Sequence, residues 1–280
     1  MTTSETTKTK QNDLSKVRRW MQAIFVAITF LLGLRHILPG EGSRGGAFDA
    51  FCPFGGIETL WGYIATGHTL KTTSLMNFTF LIAVLGLSLV AGRAFCGWVC
   101  PLGTLQDMFA GWARRLSGET NRRRGKQSQA RFPLQVPPKL DQWLRYLKYL
   151  ILAAILIAST MAVYPPLHSI CPALAIFSFK WSTPLLGAVL AVFILTSMLV
   201  KRFSCKYLCP LGAALAIFNK ISPIHIATNS GGCNNCGRCE AECPVDIPAI
   251  PENLRSAECI RCLECIETCA RPDAIELHLG

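Results

Sequence analysis

The sequence predicts an all-α membrane domain of four transmembrane helices, arranged as two repeats of parallel topology, with a small α+β domain at its C-terminus. Three observations carry this reading. Four apolar stretches, Trp20–Leu38, Leu75–Val90, Tyr146–Tyr164 and Leu185–Val200, stand out in a chain that also holds 28 Lys and Arg. A Cys-x3-Cys-Pro-Leu-Gly motif occurs twice, at Cys96–Gly103 and Cys205–Gly212. Eight of the 14 cysteines crowd into residues 233–269.

The elements follow in order. Residues 1–19 form a basic tail carrying Lys8, Lys10, Lys16, Arg18 and Arg19. Residues 20–220 form the membrane domain, with repeats over 20–116 and 144–220 joined by a basic loop. A bilayer core of roughly 30 Å needs roughly 20 apolar residues in a helix. Trp20–Leu38 meets that length, exceeds a signal-peptide core and lacks a small-residue cleavage site. Leu75–Val90 and Leu185–Val200 are shorter and reach spanning length only with neutral flanks such as Ser74 and Ala91-Gly92. Four buried core helices are the competing reading. Buried helices rarely lack a polar stripe over such lengths, so it is set aside.

Charge orients the spans. The segment between the second and third stretches holds Arg93, Arg114, Arg115, Arg122, Arg123, Arg124, Lys126, Arg131 and Lys139, closing with Arg145 and Lys148. Lys201, Arg202 and Lys206 follow the fourth. The two other loops carry only Arg44, Lys71 and Lys180. The positive-inside rule then predicts a multi-pass protein of the bacterial inner membrane with both termini cytoplasmic. The run Arg122–Lys126 reads as a topology determinant beside anionic lipid, and no nucleic acid partner is expected.

Each membrane repeat reads helix, Cys-Pro, helix, Cys-x3-Cys-Pro-Leu-Gly. The Cys-x3-Cys spacing puts two thiols one helical turn apart on one face. The proline suits the first turn of the next helix. Amphipathic segments Leu102–Leu116 and Leu211–Ile221 follow. If the repeats meet on a pseudo-symmetry axis, Cys96, Cys100, Cys205 and Cys209 form a four-thiol set able to hold a further iron–sulfur cluster or act as a redox site. Buried packing cysteine is the plain alternative. Cys52 and Cys171 precede Pro53 and Pro172 and are expected on the outer face. There they could pair as a disulfide, ligate metal, exchange electrons or stay bare thiols. His36, Glu58, His68 and His168 fall on the same side and are candidates for a quinone or proton site.

Residues 221–280 form the last domain. It contains Cys233-x2-Cys236-x2-Cys239-x3-Cys243-Pro244 and Cys259-x2-Cys262-x2-Cys265-x3-Cys269. This is doubled bacterial ferredoxin spacing, in which the fourth cysteine of each run serves the other cluster. One [4Fe–4S] cluster is expected on Cys233, Cys236, Cys239 and Cys269, the other on Cys259, Cys262, Cys265 and Cys243. Structural zinc favours two Cys-x2-Cys pairs, and disulfide frameworks suit small secreted domains, so both are weaker fits. The second run ends Cys269-Ala270, lacking the proline of the first. The domain holds nine acids, four Arg and no Lys, which suits a basic membrane face or a basic redox partner.

Taken together, the twin Cys-x3-Cys-Pro motifs and the C-terminal cysteine runs resemble NapH-type membrane quinol dehydrogenase subunits. They also resemble the membrane parts of NosR-type and CcoG-type proteins, from Trp20 onward. The resemblance implies that the eight C-terminal cysteines are cluster ligands. It implies electron transfer between the quinone pool and a respiratory or maturation partner. A full NosR-type protein, with a periplasmic flavin-binding domain before its first helix, and a CcoG-type copper reductase, with an extra domain after the cysteine runs, are the less expected members. The expected function is a membrane-bound iron–sulfur relay between quinol and a redox protein, as a quinol dehydrogenase subunit. An assembly factor or electron conduit reducing a metal, thiol or flavin partner at the outer face competes with it. So does a structural anchor for the ferredoxin domain.

Overall fold

The computed structural model describes residues 2–35, 53–67, 75–117, 134, 136–161, 171–177, 184–229, 232–248, 250–271 and 274–279. The chain is mostly helical. The long helices are α1 (Thr2–Arg35), α2 (Pro53–Thr66), α3 (Leu75–Ala91), α5 (Pro101–Leu116), α6 (Pro138–Met161) and α8 (Pro184–Leu199). Short helices α4 (Ala94–Trp98), α7 (Pro172–Phe177), α9 (Pro210–Ala216) and α10 (Phe218–Ile221) lie between and after them. A five-residue π-helical turn occupies Ser204–Leu208. Helices α2, α5, α6, α7, α8 and α9 all open on a proline. A first-turn N–H has no partner inside a helix, so proline loses nothing there and presets φ.

Among the described residues two helices are long and apolar enough to cross a bilayer, Leu14–Leu34 within α1 and Pro138–Met161. Their apolar sides face outward: Trp20 is 71% exposed, Leu31 62% and Ile157 68%. Helix α1 starts well before the expected boundary at Trp20, because no glycine or proline interrupts residues 2–32. The stretches expected as second and fourth spans form helices of 17 and 16 residues. At 1.5 Å per residue these reach about 25 Å, short of the roughly 30 Å core.

The chain divides into two compact units. One comprises Val26–Val84 and Leu102–Ala214. In it α2 packs on α6, α7 on α8, and α6 on the π-helical turn. Phe54, Leu81, Phe177, Phe193 and Tyr207 are buried there. Gly33 lies so close to the carbonyl of Phe177 that a Cβ would overlap it.

The other unit comprises Met1–Phe25, Leu85–Pro101 and Leu215–Gly280. Its C-terminal part adds β1 (Ile224–Thr228), α11 (Arg238–Glu242), α12 (Ile250–Asn253), α13 (Glu264–Thr268) and β2 (Ile275–Leu279). The strands pair antiparallel, with Ile224 opposite Leu279 and Thr228 opposite Ile275. Ile226, Val245, Ile247, Ile250, Leu254, Ile260, Ala274 and Ile275 form its core.

Arg93, Lys148, Lys201, Arg202 and Lys206 belong to the basic segments that orient the chain in the sequence reading. All five are buried. A buried cation is costly unless partnered, so these residues are built into the fold. Arg202 holds Asp107 with two bonds, Nε–Oδ1 at 2.8 Å and Nη2–Oδ2 at 2.5 Å.

Gly33→Ala tests the tightest helix contact. Overpacking against backbone typically costs about 1–3 kcal/mol. The variant is expected to melt at lower temperature than the parent in the same detergent, whereas Gly86→Ala, where a Cβ meets nothing within 4 Å, is not.

Candidate iron–sulfur sites

Both cysteine runs of the C-terminal domain adopt the same backbone. The residue before the second cysteine is left-handed in each, Asn235 at φ 52° and Arg261 at φ 49°. So is the residue after it, Gly237 at φ 68° and Leu263 at φ 64°. These two left-handed residues curl the chain about the Cys-x2-Cys-x2-Cys segment. Glycine and asparagine tolerate this region; Arg261 and Leu263 occupy it at a cost of about 1–2 kcal/mol each. Helices α11 and α13 start directly after the curl, and each ends at the fourth cysteine. Cys243 has φ −59°, ψ 120°, and Cys269 has φ −63°, ψ 129°. The missing proline after Cys269 therefore leaves the turn unchanged.

The curls and strand pairing sort the eight thiols into two cavities. One, of about 270 Å³, is lined by Cys233, Cys236, Cys239 and Cys269 with Asn235 and Arg238. The other, of about 20 Å³, is lined by Cys243, Cys259, Cys262 and Cys265 among apolar side chains including Ile226 and Leu254. Each cavity thus draws three cysteines from one run and the fourth from the other. Among the described residues no group of three or more His, Cys, Asp or Glu converges on a single-ion site. The donor set of each cavity suits a [4Fe–4S] cluster, which takes four cysteine thiolates. The first has ample room; the second requires its thiols to spread.

Burial makes the second set reluctant to ionise. It pushes the Cys265 thiol up to about 12. Burial also raises Cys262, Cys259 and Cys243. Backbone N–H groups of Ile247 and Val245 pull Cys243 partly back. Since the thiolate is the ligand, loading iron there releases protons.

The second run is held from several sides within its unit. Arg18 of α1 donates to the carbonyl of Cys262 at 2.7 Å and pairs with Glu264 at 2.6 Å. Arg93, just before α4, donates to the carbonyl of Ala257 at 3.0 Å and to Glu258 at 3.2 Å. The Asn219 amide donates to the carbonyls of Cys259, Ser256 and Ala257 at 2.5, 3.2 and 3.2 Å. Its oxygen accepts the Arg93 N–H at 2.8 Å. Arg261 reaches the carbonyl of Asn219 and the hydroxyl of Ser222 at 3.2 and 2.5 Å. From the first Cys-x3-Cys motif, Trp98 donates its indole N–H to the carbonyl of Arg261 at 2.9 Å. Gln22 holds the carbonyl of Gly97 at 2.9 Å.

The two Cys-x3-Cys-Pro motifs are not straight α-helical turns as expected. Cys100 N–H bonds to Phe95 C=O at 3.0 Å, and Cys209 N–H to Ser204 C=O at 2.8 Å. Both are five-residue closures ending at a Cys-Pro junction, where the residue before proline leaves the α region. Such widened turns are frequent at functional sites. The pairs fall in different units, Cys96 and Cys100 in one, Cys205 and Cys209 in the other. In the second motif Cys205 Sγ accepts from Gln106 Nε2 and Cys209 Sγ from Gly212 N–H, both at 3.4 Å. Lys206 and Tyr207, between those cysteines, bind Asp141 of α6. Lys206 Nζ lies 2.9 Å from Oδ1, the Tyr207 hydroxyl donates to the same atom, and Arg145 holds Oδ2 at 2.6 Å.

Of the outer-face candidates, Cys171 precedes α7 and Glu58 is buried in α2. Cys52, His36, His68 and His168 lie outside the described residues. Sequence reasoning missed Gln22, Trp98, Gln106, Asp141, Asn219 and Arg261. Only Trp98, inside the duplicated motif, carried a signal that could have found it.

The Asp141 cluster yields a prediction. Removing one partner of a buried pair leaves an uncompensated charge, at about 3–5 kcal/mol. Asp141→Ala should strongly lower the melting temperature in detergent. Asp141→Asn combined with Lys206→Met should cost less than the sum of the two single changes.

A family profile described as "4Fe-4S binding domain" matches residues 73–118 and 182–227. Those segments hold the two Cys-x3-Cys-Pro motifs, not the C-terminal runs. YccM of Escherichia coli strain K12, provisionally named an electron transport protein, is 27% identical over 281 residues, 92% of this chain and 74% of its own. The uncharacterized protein MJ0750 of Methanocaldococcus jannaschii is 31% identical over 191 residues, 68% of this chain and 74% of its own. The ferredoxin-type protein NapH of Escherichia coli strain K12 is 26% identical over 283 residues, 90% of this chain and 87% of its own. No solved structure matches. The crossed cysteine cavities, the doubled profile and these relatives agree, and the chain belongs to the NapH/NosR-type family of ferredoxin-type membrane electron-transport proteins.

Proposed function

We propose that the protein relays electrons between the quinone pool and a redox protein partner through two C-terminal [4Fe–4S] clusters and the Cys-x3-Cys-Pro motifs of its membrane domain. The family gives an iron–sulfur electron-transfer role. The observation that carries the finer reading is the pair of cavities, each lined by four cysteines in crossed grouping. Cys233, Cys236, Cys239 and Cys269 would hold one cluster, Cys259, Cys262, Cys265 and Cys243 the other. When bound, each cluster supplies a one-electron store. The chain supplies burial, N–H donors and nearby charge, the levers that set its potential.

Cys96 and Cys100, with Cys205 and Cys209, are proposed as further redox groups. The match of a 4Fe-4S profile to both segments supports this. In this reading the four apolar stretches cross the inner membrane, both termini are cytoplasmic and quinol is oxidised within the membrane. Cys171 with Cys52 stays proposed as an outer redox pair. Glu58, His36, His68 and His168 stay candidates for handling the quinone's protons.

Anaerobic purification with iron, acid-labile sulfide and EPR tests the cluster count. Two cubanes require about eight irons per chain, and a third raises this to about twelve. A value near four defeats the double-cluster reading, and zinc in place of iron defeats the redox reading. Topology is checked separately. A reporter after Gly280 should score cytoplasmic and one near Thr66 periplasmic; both on one side overturns the four-span arrangement.

A further inference from the structure

The two cavities are alike in ligands and unlike in surroundings. Residues 234–238 of the first run are exposed, Cys236 among them. The bonds that hold it come from inside the domain, such as Arg271 to the carbonyl of Gly232 at 3.3 Å and Glu240 to the N–H of Ile250 at 3.3 Å. Residues 259–262 of the second run are all buried. They lie against the first Cys-x3-Cys motif: a Cβ on Gly97 would come within 2.5 Å of the carbonyl of Ile260 and 3.4 Å of the Cys262 Cα. Glycine lets the Cys96–Cys100 backbone touch the ligand loop directly. Buried guanidinium nitrogens stand beside that loop without a hydrogen-bond partner among the described residues, Arg18 Nε and Arg261 Nη1. Arg18 is balanced by Glu264, and Arg93 by Glu258. Arg261 has no such carboxylate among the described residues. It occupies the left-handed position where the first run has Asn235, and strain of this kind clusters at functional sites.

We propose that the relay has a fixed polarity. The set Cys243, Cys259, Cys262 and Cys265 is the inward port, exchanging electrons with the Cys96–Cys100 motif across the Gly97–Trp98 contact. The set Cys233, Cys236, Cys239 and Cys269 is the outward port, open to a one-electron iron–sulfur or flavin protein. One electron moves at a time, each port being reduced as its neighbour is oxidised. Arg261 is the residue that separates their potentials. Reduction adds negative charge, so an unbalanced buried cation favours the reduced form of the port it touches. This rests on the two-cluster reading above, and the test keeps the two apart.

The test uses the full chain, purified anaerobically in detergent, with redox titration followed by EPR. Cys236→Ser and Cys262→Ser assign the two signals to their sites. If two cubane signals are absent from the parent, the two-cluster reading fails; if they are present, polarity is tested alone. Arg261→Gln is expected to make the inward signal harder to reduce by about tenfold in the reduced-to-oxidised ratio, about 59 mV for one electron. Arg261→Lys should restore most of it, and the outward signal should not move. A soluble dysprosium chelate should speed relaxation of the outward signal only. Should Arg261→Gln not retain its clusters, Arg261→Lys and the chelate experiment on the parent still decide. Equal relaxation of both signals overturns the polarity. An equal shift of both potentials, or none, overturns the role of Arg261.

Discussion

The C-terminal unit turns on the amide of Asn219. It donates to three carbonyls of one loop, those of Ser256, Ala257 and Cys259, and accepts the backbone N–H of Arg93. A primary amide offers two donor hydrogens, so both are engaged and at least one is shared between two carbonyls. The consequence is mechanical. The loop that carries Cys259 and Cys262 is tied to the turn between α3 and α4, immediately before Cys96. Gly92, at φ 54°, has no room for a Cβ because Asn219 and Arg261 fill the space. A cluster loop that would otherwise be a flexible surface segment becomes part of a packed core.

That tie changes the chemistry available to otherwise equivalent cysteines. Both runs curl through the same left-handed positions, so their intrinsic geometry is shared. What differs is the dielectric and the charge around them. Apolar walls and buried arginines surround the second run, while solvent reaches the first. Iron–sulfur potentials respond to hydrogen bonds, charge and exposure. Two copies of one motif can therefore serve as unlike stations along a relay, without any change of ligand.

The Cys-x3-Cys-Pro motifs show the same economy at shorter range. A proline fixes where the next helix begins, and the preceding cysteine must leave the helical region. The closure widens to five residues in both motifs. Each is then secured by different neighbours: Gln22 and Trp98 for the first, Gln106 and the Asp141 cluster for the second. Buried charges around the second motif hold one another, as they must in a low-dielectric setting.

What the sequence by itself determined is what depends on spacing and local chemistry. The two cysteine runs, their crossed grouping around two cavities, the Cys-Pro helix starts and the long apolar helices α1 and α6 all follow from residue type and interval. The curl at Arg261 and Leu263 was not readable, since neither residue favours positive φ. Nor was the burial of Arg93, Arg202 and Lys206. In a linear sequence they are indistinguishable from headgroup-facing charges; only the folded chain brings Glu258, Asp107 and Asp141 to them. The asymmetry between the two cysteine runs is likewise tertiary. It comes from residues about 40 to 240 positions away in the chain, and contacts at that separation leave no local pattern, because their energy is realised only once the chain has closed upon itself.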